Sequence, residues 1–173
     1  MASIKQSYPA SNADTTDLTI TLASMATDST LLTGRASTAV DNRTNLDLDH
    51  LLSGKITTGT TPTAATYIEV YVYAPISIAS GTPTYPDSIT GTDAAKTMTS
   101  ANVKLYALRL AWAAQVDSTS NRTYFMPPVS VASLFGELPP FWGAFVTHST
   151  VAALNSTAGN QALSYHRIQK QTV

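Results

Sequence analysis

The sequence contains no cysteine, which excludes disulfide bridges and cysteine-ligated zinc and leaves the redox compartment open. It is also poor in charge: 12% of its 173 residues are charged, about half the usual quarter. A net charge of −1 gives no reason to expect nucleic acid or an anionic membrane as partner. No apolar run approaches the length needed to span a bilayer. Met1-Ala2-Ser3-Ile4-Lys5-Gln6 lacks the basic-then-apolar layout of a secretory leader, so none is expected. Internal repeats are not evident either.

Threonine fills the space left by charge, with 27 copies. Its β-branched side chain suits the exposed face of a pleated strand. A surface with so little charge also suits a protein held in an assembly, where repulsion is not needed for solubility. Three Asn-x-Thr matches, at Asn42, Asn121 and Asn155, are chance products of this threonine content.

The stretch Leu134–His148 organises the chain, because it holds three of the four phenylalanines and one of the two tryptophans. Pro139-Pro140 turns a corner, and from Phe141 to Val146 both parities are mostly apolar. Trp142, Ala144 and Val146 face one way and Phe141, Gly143 and Phe145 the other, as in a strand covered on both sides. Tyr67–Ala74 is the clearest strand, with Ile68, Val70, Val72 and Ala74 on one face and Tyr67, Glu69, Tyr71 and Tyr73 on the other. Asp17–Ala23, Asn45–Leu52 and Ala162–Gln169 alternate in the same manner, and Thr123–Met126 reads as a short strand. Val103–Val116 reads as a strand through Tyr106, Leu108, Leu110 and Trp112, although its Leu and Ala content also suits a helix. Val129–Leu134 fits one helical turn capped by Ser130. Residues 75–101, broken by Gly81, Pro83, Pro86 and Gly91, read as a long loop of the kind that is usually functional. Residues 1–16 read as a flexible N-terminal arm, and 17–173 as a single domain. About eight short strands with at most one short helix give an all-β fold, an antiparallel sandwich or barrel.

Candidate sites are few. Asn45-x-Asp47-x-Asp49 has the opening rhythm of a calcium loop, but His50 stands where the turn glycine belongs and no glutamate closes the loop. His50, His148 and His166 form no metal-spaced pair, and there is no Gly-x-Ser-x-Gly elbow. Ser53-Gly54-Lys55 imitates the end of a phosphate loop without its earlier glycine. Glu69 lacks a second carboxylate for glycosidase work and is expected to be outward or ion-paired. Tyr67, Tyr71, Tyr73, Tyr85 and Trp112 would suit an aromatic platform for sugar, or equally a core and an interface. These readings predict no enzyme, no metal and no cofactor.

Four segments in combination carry a resemblance. They are Thr33-Gly34-Arg35-Ala36-Ser37-Thr38-Ala39-Val40-Asp41-Asn42, Leu52-Ser53-Gly54-Lys55-Ile56-Thr57-Thr58-Gly59, Tyr85-Pro86-Asp87-Ser88-Ile89-Thr90-Gly91-Thr92-Asp93 and Leu134-Phe135-Gly136-Glu137-Leu138-Pro139-Pro140-Phe141-Trp142-Gly143. Together, across about residues 30 to 168, the chain resembles small structural proteins of tailed bacteriophages. A β-sandwich of this size within that group is similar to capsid cement or decoration proteins, several of which are jelly rolls bridging capsomers. The resemblance implies a jelly-roll-like fold, the major capsid protein or other virion proteins as partners, and a dimer or trimer. It also implies a place on the capsid exterior after synthesis in the host cytoplasm. Contacts are expected from Ile4 and Tyr8 in the arm and from Ile78 and Tyr85 in the long loop. A tail, baseplate or head-to-tail component, and a carbohydrate- or receptor-binding module, are the alternatives.

Overall fold

A computed structural model describes residues 4–7 and 15–172. Two sheets face each other. The first contains β1 (Ile4–Ser7), β2 (Thr15–Asp17), β5 (Asp49–Thr57), β11 (Thr123–Ser130) and β13 (Ala162–Thr172), in the order β1-β13-β5-β11 with β2 also paired to β13. The second contains β3 (Thr33–Ala36), β4 (Val40–Asp41), β6 (Thr66–Tyr73), β9 (Ala94–Thr97), β10 (Arg109–Val116) and β12 (Phe141–His148), in the order β10-β6-β12-β3-β9 with β4 also on β12. A small hairpin, β7 (Ser77–Ala79) with β8 (Thr82–Thr84), stands apart. All pairings among the described residues are antiparallel.

The passages from β5 to β6, β10 to β11, β11 to β12 and β12 to β13 each cross between sheets. With β9 set aside, four strand positions face four, and the first and last strands lie side by side. This is jelly-roll topology. Its core lies between the sheets, where Ile68, Val70 and Val72 of β6 and Trp142, Ala144 and Val146 of β12 pack with Leu52, Ile56, Met126 and Leu163. The period of two is the cause: the same alternation sends Tyr71, Tyr73 and Phe145 to the opposite face.

That opposite face has a core of its own. Residues 85–108 lie across it and cover it with Ile89, Met98 and Leu108, and Tyr85 packs at its margin. β12 is therefore buried at all eight positions, as expected of a strand with two apolar parities. Gly143 is required here, because a Cβ would lie 2.3 Å from the Tyr73 ring that crosses it. Gly91 (φ +71) serves the cover in the same way, with the Tyr85 ring 2.4 Å from where its Cβ would be.

Several expected boundaries shift. The long loop holds β7, β8 and β9; Gly81 makes the β7–β8 turn, Pro86 and Gly91 lie between β8 and β9, and Pro83 is within β8 opposite Ile78. Val103–Val116 is not one strand. Ser100 caps α1 (Ala101–Ala107) by accepting from Val103 N, and only the residues from Arg109 onward pair with β6. With α2 (Val131–Phe135), capped by Ser130 as expected, the described residues hold two short α-helices where at most one was expected, besides a 3-10 turn at Ala158–Asn160. Ile4–Ser7, Thr15 and Thr16, read within the arm, and Asp17, read as the start of a strand, are laddered to β13. Leu18 and Leu22 are buried as the alternation predicts, although the ladder stops at Asp17.

Candidate functional site

The calcium-like rhythm belongs to a closed polar network. Asp47 is fully buried and accepts from Arg167 Nε (2.7 Å) and Nη2 (3.0 Å), from Gln169 Nε2 (2.7 Å) and from His50 Nε2 (2.9 Å). The other His50 nitrogen, Nδ1, accepts from the Trp142 indole N–H at 2.8 Å. An indole only donates, so the imidazole proton is on Nε2 and points at Asp47. Burial favours the neutral imidazole and pushes the His50 pKa down, although Asp47 pulls the other way. Burial acts to raise the Asp47 pKa, but the bonds from Arg167, His50 and Gln169 outweigh it and hold the carboxyl below its usual range. The arrangement is an Asp–His pair whose third member is a tryptophan. It offers no nucleophile for acyl transfer.

The histidines do not converge. His148 is buried, with Nε2 3.1 Å from Met25 O and Nδ1 2.9 Å from Thr150 Oγ1, and burial lowers its pKa. His166 Nδ1 meets Thr15 Oγ1 at 2.9 Å. Among the described residues no three His, Cys, Asp or Glu are placed to hold a metal. Ser53-Gly54-Lys55 lies within β5, where Gly54 is covered by Leu163.

Glu69 is ion-paired. Lys104 of α1 reaches it through the second core with Nζ 2.9 Å from Oε2, while Tyr71 Oη donates to the same oxygen at 2.9 Å. Lys104 Nζ also donates to Leu31 O at 2.8 Å and lies over the Tyr71 ring. Tyr71 and Tyr73 are buried, Tyr85 stands edge-on to Tyr73 and Trp112 is half-buried, so of the five aromatic residues Tyr67 alone is exposed. Tyr85, expected at a contact, is half-buried, with its ring packed against the second core. Ile78 is 40% exposed on the β7–β8 hairpin. Ile4 lies in β1 opposite Thr172, and Tyr8 falls outside the described residues.

What the structure assembles instead is a contrast between the two ends of the sandwich. At one end lie the connection into β5, the β7–β8 hairpin and the turn from α2 into β12. Here Leu46 is 75% exposed and Ile76 71%, with Leu48 and Ile78 nearby in the same connections. Arg43 ties them together: it pairs with Asp41, donates to Gly81 O at 3.1 Å and stacks on Phe141. Between these connections is a cleft of about 350 Å³ lined by Leu46, Leu138 and Pro140 with Arg43 and Glu137. At the other end the turns after β5, β10 and β12 meet. They enclose a cleft of about 300 Å³ lined by Thr60, Asn121, Asn155 and Ser156 with Ala152 and Ala153. Outside both ends, Leu105 and Tyr106 of α1 and Leu110 of β10 stand exposed on the cover segment and the strand it enters.

Three of the four segments that carry the phage resemblance meet around β12. Arg35 Nε pairs with Asp93 at 2.6 Å, Ala39 N donates to Gly91 O, and Asn42 N donates to Pro140 O. The resemblance thus falls mainly on residues that build the second sheet and its cover. No protein-family model matches the chain, and no curated protein or solved structure is significantly similar to it. The residues that sequence reasoning missed are Arg167, Lys104 and Asn121. Each acts through a partner 34 to 120 positions away. The one local signal was Ser100, whose place before an Ala/Leu-rich stretch marks a helix start.

Proposed function

We propose that the protein is a non-enzymatic structural component of a virion, a capsid cement or decoration protein that stabilises the major capsid protein lattice. The observation that carries this reading is the apolar end, where Leu46, Leu48, Ile76 and Ile78 are exposed on connections that Arg43 holds in place. Each large apolar side chain moved out of water against a neighbour contributes about 1.5–3 kcal/mol before ordering costs, so a few fixed ones make an attachment surface. Jelly rolls build viral capsid domains and also lectins and cupins. Among these uses, the apolar end and the resemblance of segments 33–42, 52–59, 85–93 and 134–143 support the capsid reading.

In this reading the apolar end faces the lattice and the polar end faces outward. A dimer or trimer placed at a capsomer boundary gains from repetition, because many weak symmetric contacts act together. Quantitative mass spectrometry of purified particles against the major capsid protein is the test. Hundreds of copies per particle support cement. A dozen or fewer indicate a tail, baseplate or head-to-tail role, and absence from the particle overturns the virion reading.

A further inference from the structure

We infer that the polar end of the sandwich carries a binding site for a neutral, polyhydroxylated ligand of the saccharide class. The site is the cleft between the turns that follow β5, β10 and β12. It measures about 300 Å³, and no lining residue is ionisable, so neither an anion nor a cation finds a counter-charge in its wall. Polar groups come from Ser24, Thr60, Asn121, Asn155 and Ser156, and the methyl groups of Ala152 and Ala153 supply an apolar portion.

The frame is fixed before a ligand arrives. Asn121 N donates to Gly59 O at 2.8 Å, Thr58 N to Arg122 O at 3.0 Å and Ser24 N to Asn155 O at 3.2 Å. Ser120 Oγ donates to Thr60 O across the same turns. Asn155 is held on both sides, its Nδ2 donating to Asn121 Oδ1 at 2.8 Å and its Oδ1 accepting from Asn160 Nδ2 at 3.0 Å. These bonds leave the Asn121 Nδ2 group and the hydroxyls of Ser24, Thr60 and Ser156 without a protein partner among the described residues. A rigid set of uncharged donors and acceptors beside methyl groups matches a sugar, which offers hydroxyls to the former and C–H faces to the latter. Lattice attachment through the opposite end leaves this cleft open, and the inference does not depend on that attachment.

Asn121 lies in the left-handed region (φ +54), so Asn121→Gly removes the amide, and with it the bond from Asn155 Nδ2, without straining the backbone, while Asn160 still holds Asn155. Ser156→Ala removes an exposed hydroxyl and leaves the fold unaltered. The test is an amide-resolved NMR titration of the full chain with methyl α-glucoside, methyl α-mannoside, methyl β-galactoside and N-acetylglucosamine, each to about 50 mM. At least one sugar is expected to shift Gly59, Asn121, Asn155 and Ser156 saturably, with a Kd of about 1 mM. Asn121→Gly should weaken that binding about tenfold, the effect of one hydrogen bond, and Ser156→Ala should weaken it in the same direction. The proposal is overturned if no sugar gives saturable shifts, if the shifts map to the apolar end or to Tyr67, or if both variants bind as the wild type does.

Discussion

The two ends of the sandwich are built from the same kind of element, short connections between antiparallel strands, yet they spend their interior polar groups differently. At the apolar end a buried ionic network, Asp47 with Arg167, His50 and Gln169, fixes the connections from beneath and lets apolar side chains stand on top. At the polar end neutral amides and hydroxyls cross-link the turns and remain at the surface. Both ends also carry an ion pair that is about half exposed, Arg43–Asp41 at the first and Arg122–Asp117 in the turn after β10 at the second, so the contrast lies in what is buried beneath the connections. In a chain with so few charged residues, the difference comes down to one carboxylate, Asp47, that is buried beneath the apolar end.

The largest test of this contrast is Asp47→Ala. It removes the buried carboxylate that accepts from Arg167, Gln169 and His50 together and leaves the His50 Nε2–H without its acceptor in a buried site, which costs about 3–5 kcal/mol. For a chain of this size the melting temperature should fall by about 10 °C or more in calorimetry. A drop no larger than that of a surface substitution would mean that the network is not what holds the apolar end.

At the other end a substitution should stabilise. Val151 sits at φ +72 although it is β-branched, and it is 63% exposed, so little packing compensates its strain. Val151→Asn, which tolerates that region, should raise stability by about 1 kcal/mol in chemical denaturation. A loss of stability would show that the valine makes a contact that outweighs its backbone.

Acid should weaken both ends, each through one histidine. Burial depresses the pKa of His50 and of His148 in the folded chain, so the unfolded state takes up protons first as the pH falls through about 6.5. The contribution is complete above that pH and is lost below it. The depressed carboxyls of Asp47 and Asp93 act in the same direction but only near and below their ordinary range of about 4. Melting temperature should therefore fall between pH 7.5 and 5.5, and less so in His148→Gln. An unchanged slope in that variant would assign the effect to His50.

The smallest effect on stability comes from Leu46→Ser with Ile76→Ser, because both side chains are mostly in water; the change should stay within about 0.5 kcal/mol. If the apolar end attaches the protein to particles, the same pair should abolish attachment in a sedimentation assay. Retained attachment would sharpen the comparison differently, by moving the contact to Leu105, Tyr106 and Leu110 on the cover.

The sandwich was legible in the sequence wherever one strand decides its own faces. Ile68/Val70/Val72 against Tyr71/Tyr73, and Trp142/Ala144/Val146 against Phe145, are sorted by alternation alone. It failed where a distant partner decides. Leu46, Leu48 and Leu52 share a parity and imitate a strand, but Leu46 is at φ +52 and exposed because Arg167, 120 positions away, draws Asp47 inward. Tyr106, Leu108 and Leu110 imitate one too, until the Ser100 cap and the Lys104–Glu69 pair turn residues 101–107 into a helix. The clefts at the ends were invisible for the same reason: each is lined from turns far apart in the chain.

The pairing of β1 and β2 with β13 sets an order in time. Thr15 and His166, partners across that ladder, are 151 positions apart, so a growing chain makes its first strands long before the strand that completes their sheet. Until β13 arrives, β5 also has one open side, and the first sheet exists only as the β5–β11 pair. The first sheet cannot close until β13 has been made. Sheets closed by contacts of such separation form slowly, which leaves a window in which unpaired edges must be kept from other copies.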